Sequence, residues 1–235
     1  MIYQQSQEEF REDIRKSKQI LEDLTGEPVI GYRAPTYSIT NKTLWALQIL
    51  WEEGYKYDSS IFPIRHDYYG MPQCPRFPFI WNLDTLTPSI VDGHYSFLAS
   101  QHSSCLAAKP PSRQASSPSS SQAAQRPSCI VEFPLSTLNL FGQRIPIAGG
   151  GYFRLFPYWF TRWALAKVNN VEKQPFIFYL HPWEIDPDQP RFNHAGILSK
   201  FRHYNNLHKT KHRFARLLRD FSFTSILDAN PYLQN

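Results

Sequence analysis

Five runs that read as strands recur along this chain, most of them next to helix-length segments, and no other feature narrows its fold as much. The runs cover residues 29–32, 55–61, 130–135, 175–180 and 222–227. The clearest of them, 29–32, 130–135 and 175–180, are nearly continuous in apolar side chains, as strands covered on both faces are. Between the runs, apolar residues recur every three or four positions, the spacing of one helix face. The first such segment opens with Ser6-Gln7-Glu8-Glu9, a capping box in which Ser and Glu satisfy each other's exposed N–H groups. It continues through Phe10, Ile14, Ser17, Leu21 and Leu24, with Ile20 flanking, and Gly26 closes it. Asn41 is expected to cap a second helix through Leu44, Trp45, Leu47, Leu50 and Trp51, stopped by Gly54. Gly149-Gly150-Gly151 reads as a sharp turn, and Pro157 suits the start of a helix carrying Trp159, Phe160, Trp163, Leu165 and Val168. Residues 213–221 read as a basic amphipathic helix with Phe214, Leu217, Leu218 and Phe221 inward. This alternation predicts an α/β fold with a largely parallel sheet.

Two stretches break the pattern. Residues 64–98, rich in Pro, Tyr and His, read as long loops. Residues 100–128 are dominated by Ser, Ala, Gln and Pro, and no acidic residue occurs between Asp92 and Glu132. Such a run buries too little apolar area to offset its ordering entropy, so it is expected to be disordered. The expected organisation is therefore a partial domain at 1–99, an insert at 100–128 and the remainder at 129–235. With 42% hydrophobic and 19% charged residues, the 235-residue chain excludes a wholly disordered protein. No apolar stretch approaches the roughly 18 residues of a bilayer span. The opening residues lack the basic and apolar regions of a secretory signal, so the expected location is cytoplasmic. The aromatic share of 15% suits either a core of large rings or a groove for sugars.

In parallel α/β folds, reactive groups gather beyond the carboxyl ends of the strands. Arg33 follows the run at 29–32, Asp58 lies within 55–61, and His181 follows 175–180. One cation, one carboxylate and one imidazole from three strand ends make a hydrolytic constellation. Singly, each has an ordinary role: Arg33 caps a strand, Asp58 opens a turn, and His181 satisfies a buried carbonyl.

Around these residues stand five ordered motifs. They are Gly31-Tyr32-Arg33-Ala34-Pro35-Thr36-Tyr37-Ser38-Ile39, Tyr57-Asp58-Ser59-Ser60-Ile61-Phe62-Pro63, Glu132-Phe133-Pro134-Leu135-Ser136-Thr137, Gly149-Gly150-Gly151-Tyr152-Phe153-Arg154, and Tyr179-Leu180-His181-Pro182-Trp183-Glu184-Ile185-Asp186-Pro187. Together they resemble the polysaccharide deacetylase family, of the NodB-like carbohydrate esterase type. The nearest likeness is to its branch found in exosortase-linked (PEP-CTERM) exopolysaccharide loci, which carries an extra C-terminal region. Phe201-Arg202-His203-Tyr204 and Asn206-Leu207 continue the match.

The resemblance implies a distorted (β/α) barrel, here incomplete, and metal-dependent removal of acetyl groups from N-acetylated sugars. In that chemistry a divalent metal, usually zinc, is held by one Asp and two His and polarises water and the amide carbonyl. A second Asp is the base, and a late-strand His protonates the leaving amine. By the resemblance His181 is that acid, Arg33 orients a catalytic Asp, and Asp58 positions the acid His. Tyr37 and Trp183 line the sugar site or belong to the core, and Glu184, with Asp186 and Asp188, caps a turn or touches substrate.

The family's Asp-Asp pair and its His-x-x-x-His ligand pair normally precede the helix with which this sequence opens. The base and the metal ligands are thus expected to lie outside these 235 residues, with no metal or other cofactor held by the chain. His203, His208 and His212 are spaced five and four apart, and a helical pair such as His208 and His212 without a nearby carboxylate is more often a solvated basic face; His66-Asp67 and His94 sit in loops of unset register, so all are poor substitutes. The expected function is that of a truncated deacetylase-family protein, inactive by itself, whose partner is an N-acetylated polysaccharide. The alternative is a non-catalytic carbohydrate-binding remnant or a gene fragment. Net charge +5 permits an anionic polymer, and Arg202, Lys209, Lys211, Arg213, Arg216 and Arg219 cluster, but no nucleic-acid motif accompanies them.

Overall fold

The computed structural model describes residues 1–66, 69–89, 128–191, 194 and 196–234. They form two compact units, Met1–Pro134 with Leu227–Asn235, and Leu135–Ile226. The expected low-complexity insert, apart from Ser128, lies outside the described residues.

In the first unit the capping box holds. Ser6 accepts from Glu9 N, Glu9 accepts from Ser6 N, and helix α1 (Gln7–Thr25) ends at Gly26, whose φ of 71° only glycine adopts freely. Only the first half of its apolar stripe is covered. Phe10 and Ile14 are buried, while Leu21 and Leu24 are exposed. Phe10 meets Tyr32 and Trp45 edge to face, and Arg11 and Arg15 bind Glu53, fastening α1 to α2 (Trp45–Glu52). Helix α2 is not capped by Asn41. It starts from Leu44 with no side-chain cap, after a turn in which Thr43 Oγ1 accepts from Thr40 N and donates to Ser38 O.

The sheet of this unit runs β1 (Gly31–Tyr32), β2 (Tyr57–Asp58), β5 (Cys129–Glu132), β3 (Phe79–Asn82), β4 (Thr87–Ser89). The first three are parallel and the last two are added antiparallel. The stretch expected to be loop thus contains two strands. Phe79, Ile80 and Trp81 are a short apolar triplet whose signal is masked by flanking prolines, and they are buried against β5. This is a mixed α/β architecture with a parallel-containing sheet, and among the described residues no strand closes it into a barrel.

In the second unit β6 (Thr137–Leu140) and β7 (Gln143–Pro146) form a hairpin. Its two-residue turn has positive φ at Phe141 and Gly142, the turn whose twist matches paired strands. Helices α3 (Gly150–Leu155), α4 (Tyr158–Ala166), α5 (Ile197–Tyr204) and α6 (Leu207–Asp220) follow. The Gly triplet is a helix start, not a turn, because Gly149 is extended and Gly150 already helical. Residues 175–180 do not form the expected strand ladder. Their backbone makes a single parallel bridge, Tyr179 to Gly149, while Ile177 N donates to Ser136 Oγ and Tyr179 N to Ala148 O. Residues 222–227 form no strand either. Phe221 and Phe223 pack edge-on against Phe176, and Ile226–Ala229 is a helical turn, α7. On α6 Leu217 is buried, but Leu218 faces outward, since the covered side is the one that carries Leu207, Thr210 and Leu217; the helix begins at Leu207, earlier than expected. Among the described residues no helix is long and apolar enough to cross a membrane.

Gly31 sits against the Tyr57 ring, and a Cβ there would fall 2.1 Å from it. Gly31→Ala is therefore expected to cost about 1–3 kcal/mol by overpacking. Adding Tyr57→Ala should recover part of that loss, which urea denaturation of the two variants and the double variant checks.

Candidate functional site

Each unit assembles a cluster of chemistry-bearing residues. In the first, parallel register places Tyr32 beside Asp58 and Asp58 beside Glu132, so the ends of β1, β2 and β5 converge. Asp58 is fully buried, accepting from Ser60 Oγ at 2.6 Å and Ser60 N at 3.1 Å. Glu132 is equally buried. Its Oε1 accepts from Ile61 N at 3.0 Å, and its Oε2 has no donor within reach among the described residues. A proton on Glu132 resolves that orphan atom, because it can be given to Asp58. Burial, then the Asp58 charge and their shared hydrogen bond, holds Glu132 well above the usual carboxylate range. Burial raises Asp58 as well, opposed by hydrogen bonds from Glu132 and Ser60. Arg33 grips the neighbouring residue, donating from Nε to Ser59 O at 2.8 Å and from Nη2 to Ser59 Oγ at 2.6 Å. Tyr37, with a positive φ of 52°, lies in an aromatic group with Phe62 and Tyr69.

The second unit holds His181, Trp183 and Glu184. Pro182–Ile185 forms a single 3-10 turn directly after His181. Glu184, 1% exposed, folds its carboxylate back, so that Oε2 accepts from His181 N at 2.9 Å and faces His181 Nδ1 at 3.3 Å. Its Oε1 accepts from Arg154 Nε at 3.0 Å, and Arg154 is itself 3% exposed. A Cβ on Gly150 would fall 1.8 Å from Glu184 Oε2, which is why glycine opens α3 at this point. The remaining Arg154 donors reach the carbonyls of Arg202 at 3.0 Å, His203 at 2.6 Å and Asn205 at 3.2 Å, closing the C-terminal end of α5.

With Nδ1 turned to Glu184, Nε2 is the imidazole nitrogen left to exchange a proton, and the Tyr179 hydroxyl lies on it. The His181 side chain is 45% exposed, open to a reacting group. Trp183 stacks on His203 at 4.3 Å and 12°, and His203 Nε2 meets Gln189 Oε1 at 2.9 Å. Burial, then the Arg154 charge, pushes His203 down against the pull of Glu184. A cavity of about 490 Å³ opens here, lined by Trp183, Leu198, Ser199, Arg202 and His203.

Arg33, Asp58 and Tyr37 thus belong to the first unit, and His181, Trp183 and Glu184 to the second. The carboxylate that faces His181 within its own unit is Glu184, and that which faces Asp58 is Glu132. Glu184 caps the turn. Three participants were not among the expected site residues. Glu132 was signalled as the lone charge in an apolar run, and Arg154 as the single charge in Gly-Gly-Tyr-Phe-Arg-Leu. His203 carried no signal beyond its motif. His208 and His212 are exposed on α6, His66 stacks on Tyr69, and His94 lies outside the described residues.

Residues 96–230, more than half of the chain, match the family model described as a domain of unknown function, DUF3473. The chain belongs to the DUF3473 family. DUF3473 domains are associated with polysaccharide deacetylase-like proteins. The matched DUF3473 region contains Glu132 and the entire His181–Glu184–Arg154 cluster, while Arg33 and Asp58 precede it. No curated protein and no solved structure matches the chain.

Asp58 and Glu132 are both raised, so the folded chain keeps a proton that an unfolded glutamate releases near pH 4.5. The stability this contributes is complete below that pH and is lost as pH rises toward the folded value, by up to about 1.4 kcal/mol per pH unit. Glu132→Gln mimics the protonated acid and retains its hydrogen bonds. Chemical denaturation between about pH 5 and about pH 8 is expected to show wild-type stability falling relative to this variant; parallel curves would mean that no proton is shared.

Proposed function

We propose that this DUF3473 protein derives from the carbohydrate N-deacetylases and handles an N-acetylated exopolysaccharide or its precursor. The observation that supports this reading is the His181–Glu184–Arg154 chain inside the matched region. A buried guanidinium fixes a buried carboxylate, the carboxylate faces one imidazole nitrogen, and the other meets the Tyr179 hydroxyl on a half-exposed ring. That is the arrangement of a general acid whose role is to protonate a leaving amine as an amide C–N bond breaks. The five motifs that resemble the polysaccharide deacetylases place the same histidine in the same role.

The resemblance also implies a divalent metal. The donors present do not fit one: Asp58 and Glu132 are buried and engaged with each other, Glu184 is held by Arg154, and among the described residues no group of three His, Cys, Asp or Glu side chains could hold an ion. These residues supply proton transfer and sugar contact. The polypeptide alone is proposed to bind its polymer without hydrolysing it.

N-acetylglucosamine oligomers are expected to shift the His181 ring and Trp183 indole resonances in NMR spectra, with no acetate released in the presence or absence of zinc. Unmoved resonances would count against a carbohydrate ligand. Zinc-dependent acetate release would show a complete hydrolytic site in the chain.

A further inference from the structure

The cavity beside His181 carries a charge that the deacetylase reading does not use. Its lining comes from Trp183 and from one side of α5, where Leu198, Ser199, Arg202 and His203 recur at helical spacing. Its volume of about 490 Å³ is in the range of small-ligand sites. Part of the wall is held in place. Arg154 holds the backbone carbonyls of Arg202 and His203 from beneath, and His203 is pinned between the Trp183 ring and Gln189.

Among the lining residues Arg202 alone is formally charged, since His203 is kept neutral by burial and by the Arg154 charge. The Arg202 guanidinium has no carboxylate partner among the described residues. Glu184, the buried carboxylate of this cluster, is already engaged by Arg154 and His181. A preorganised pocket with apolar and hydroxyl walls and one unspent planar cation is complementary to a sugar ring bearing a carboxylate, which the guanidinium fork can meet with two parallel hydrogen bonds. Trp183 lies 5.5 Å from the His181 ring, so a unit in this cavity neighbours the unit presented to the acid.

We propose that the cavity lined by Trp183, Ser199, Arg202 and His203 is a subsite for an acidic sugar, with the carboxylate on Arg202, next to the N-acetylated unit served by His181. This rests on the carbohydrate reading above and adds to it the chemical class of the polymer, an alternating or mixed glycan of N-acetylated and uronate-type units.

Calorimetric titration of the full chain with two oligomers of equal length tests the inference. One is the neutral N-acetylglucosamine oligomer, and the other is a hyaluronan fragment alternating N-acetylglucosamine with glucuronate. The acidic oligomer is expected to bind at least about tenfold tighter. Arg202→Gln, an exposed substitution whose folding a thermal melt verifies, should bring the two to within about threefold. Inorganic phosphate at matched ionic strength should not compete. Equal affinities in the wild type, a preference that survives Arg202→Gln, or displacement by phosphate would each overturn the acidic-sugar subsite while leaving the carbohydrate reading intact. Binding of neither oligomer would remove that reading, and this inference with it.

Discussion

A guanidinium and a carboxylate can be buried together only when nearly every donor and lone pair is used, because each ion taken out of water costs several kcal/mol. Arg154 and Glu184 meet that condition. The arginine gives Nε to Glu184 and its two terminal nitrogens to three carbonyls at the end of α5, and the glutamate takes further hydrogen-bond contacts from the His181 backbone and ring. Much of the second unit's site geometry follows from this one pair. It sets where α3 begins, because Gly150 must leave room for the carboxylate. It closes α5, fixes the cavity wall and selects the imidazole nitrogen left for chemistry.

The first unit buries its carboxyls by the other available route. Asp58 and Glu132 are buried side by side, and a proton shared between them offsets their mutual repulsion, with the Arg33 charge a lesser influence on Glu132. Arg33 stands one residue away, on Ser59, and holds the backbone that follows Asp58. Two units of one chain thus solve the same desolvation problem with different chemistry: an ion pair where a histidine has to be oriented, and a neutral acid where strand ends have to be closed.

Local signals carried far in some places and failed in others for identifiable reasons. The capping box at Ser6 and the closure at Gly26 were legible because a helix end is governed by side chains within four residues of it. Strands β1 and β5 were legible because their runs are apolar, and β2 because its mixed run is bounded by Gly54 and Pro63. The 175–180 run has the same composition but no strand in register beside it, so its backbone donors go to Ser136 and Ala148 instead. Strand β3 was missed because it is a triplet between prolines, held by β5 from a distant part of the sequence. At the site, the sequence marked out the motif residues, but the contacts of Asp58 with Glu132 and of Glu184 with His181 within their own units were not among its expectations.

The sequence by itself determined the first helix, the parallel strand ends that carry Arg33, Asp58 and Glu132, and the motif that carries His181. Each depends on periodicity or on neighbours close along the chain. The tertiary structure decided which buried carboxyl is an ion and which is an acid, which imidazole nitrogen faces Glu184 and which Tyr179, and that Arg202 has no carboxylate partner among the described residues. Those outcomes depend on desolvation and on partners brought together from tens of residues apart, and a linear pattern of residue types holds no measure of either.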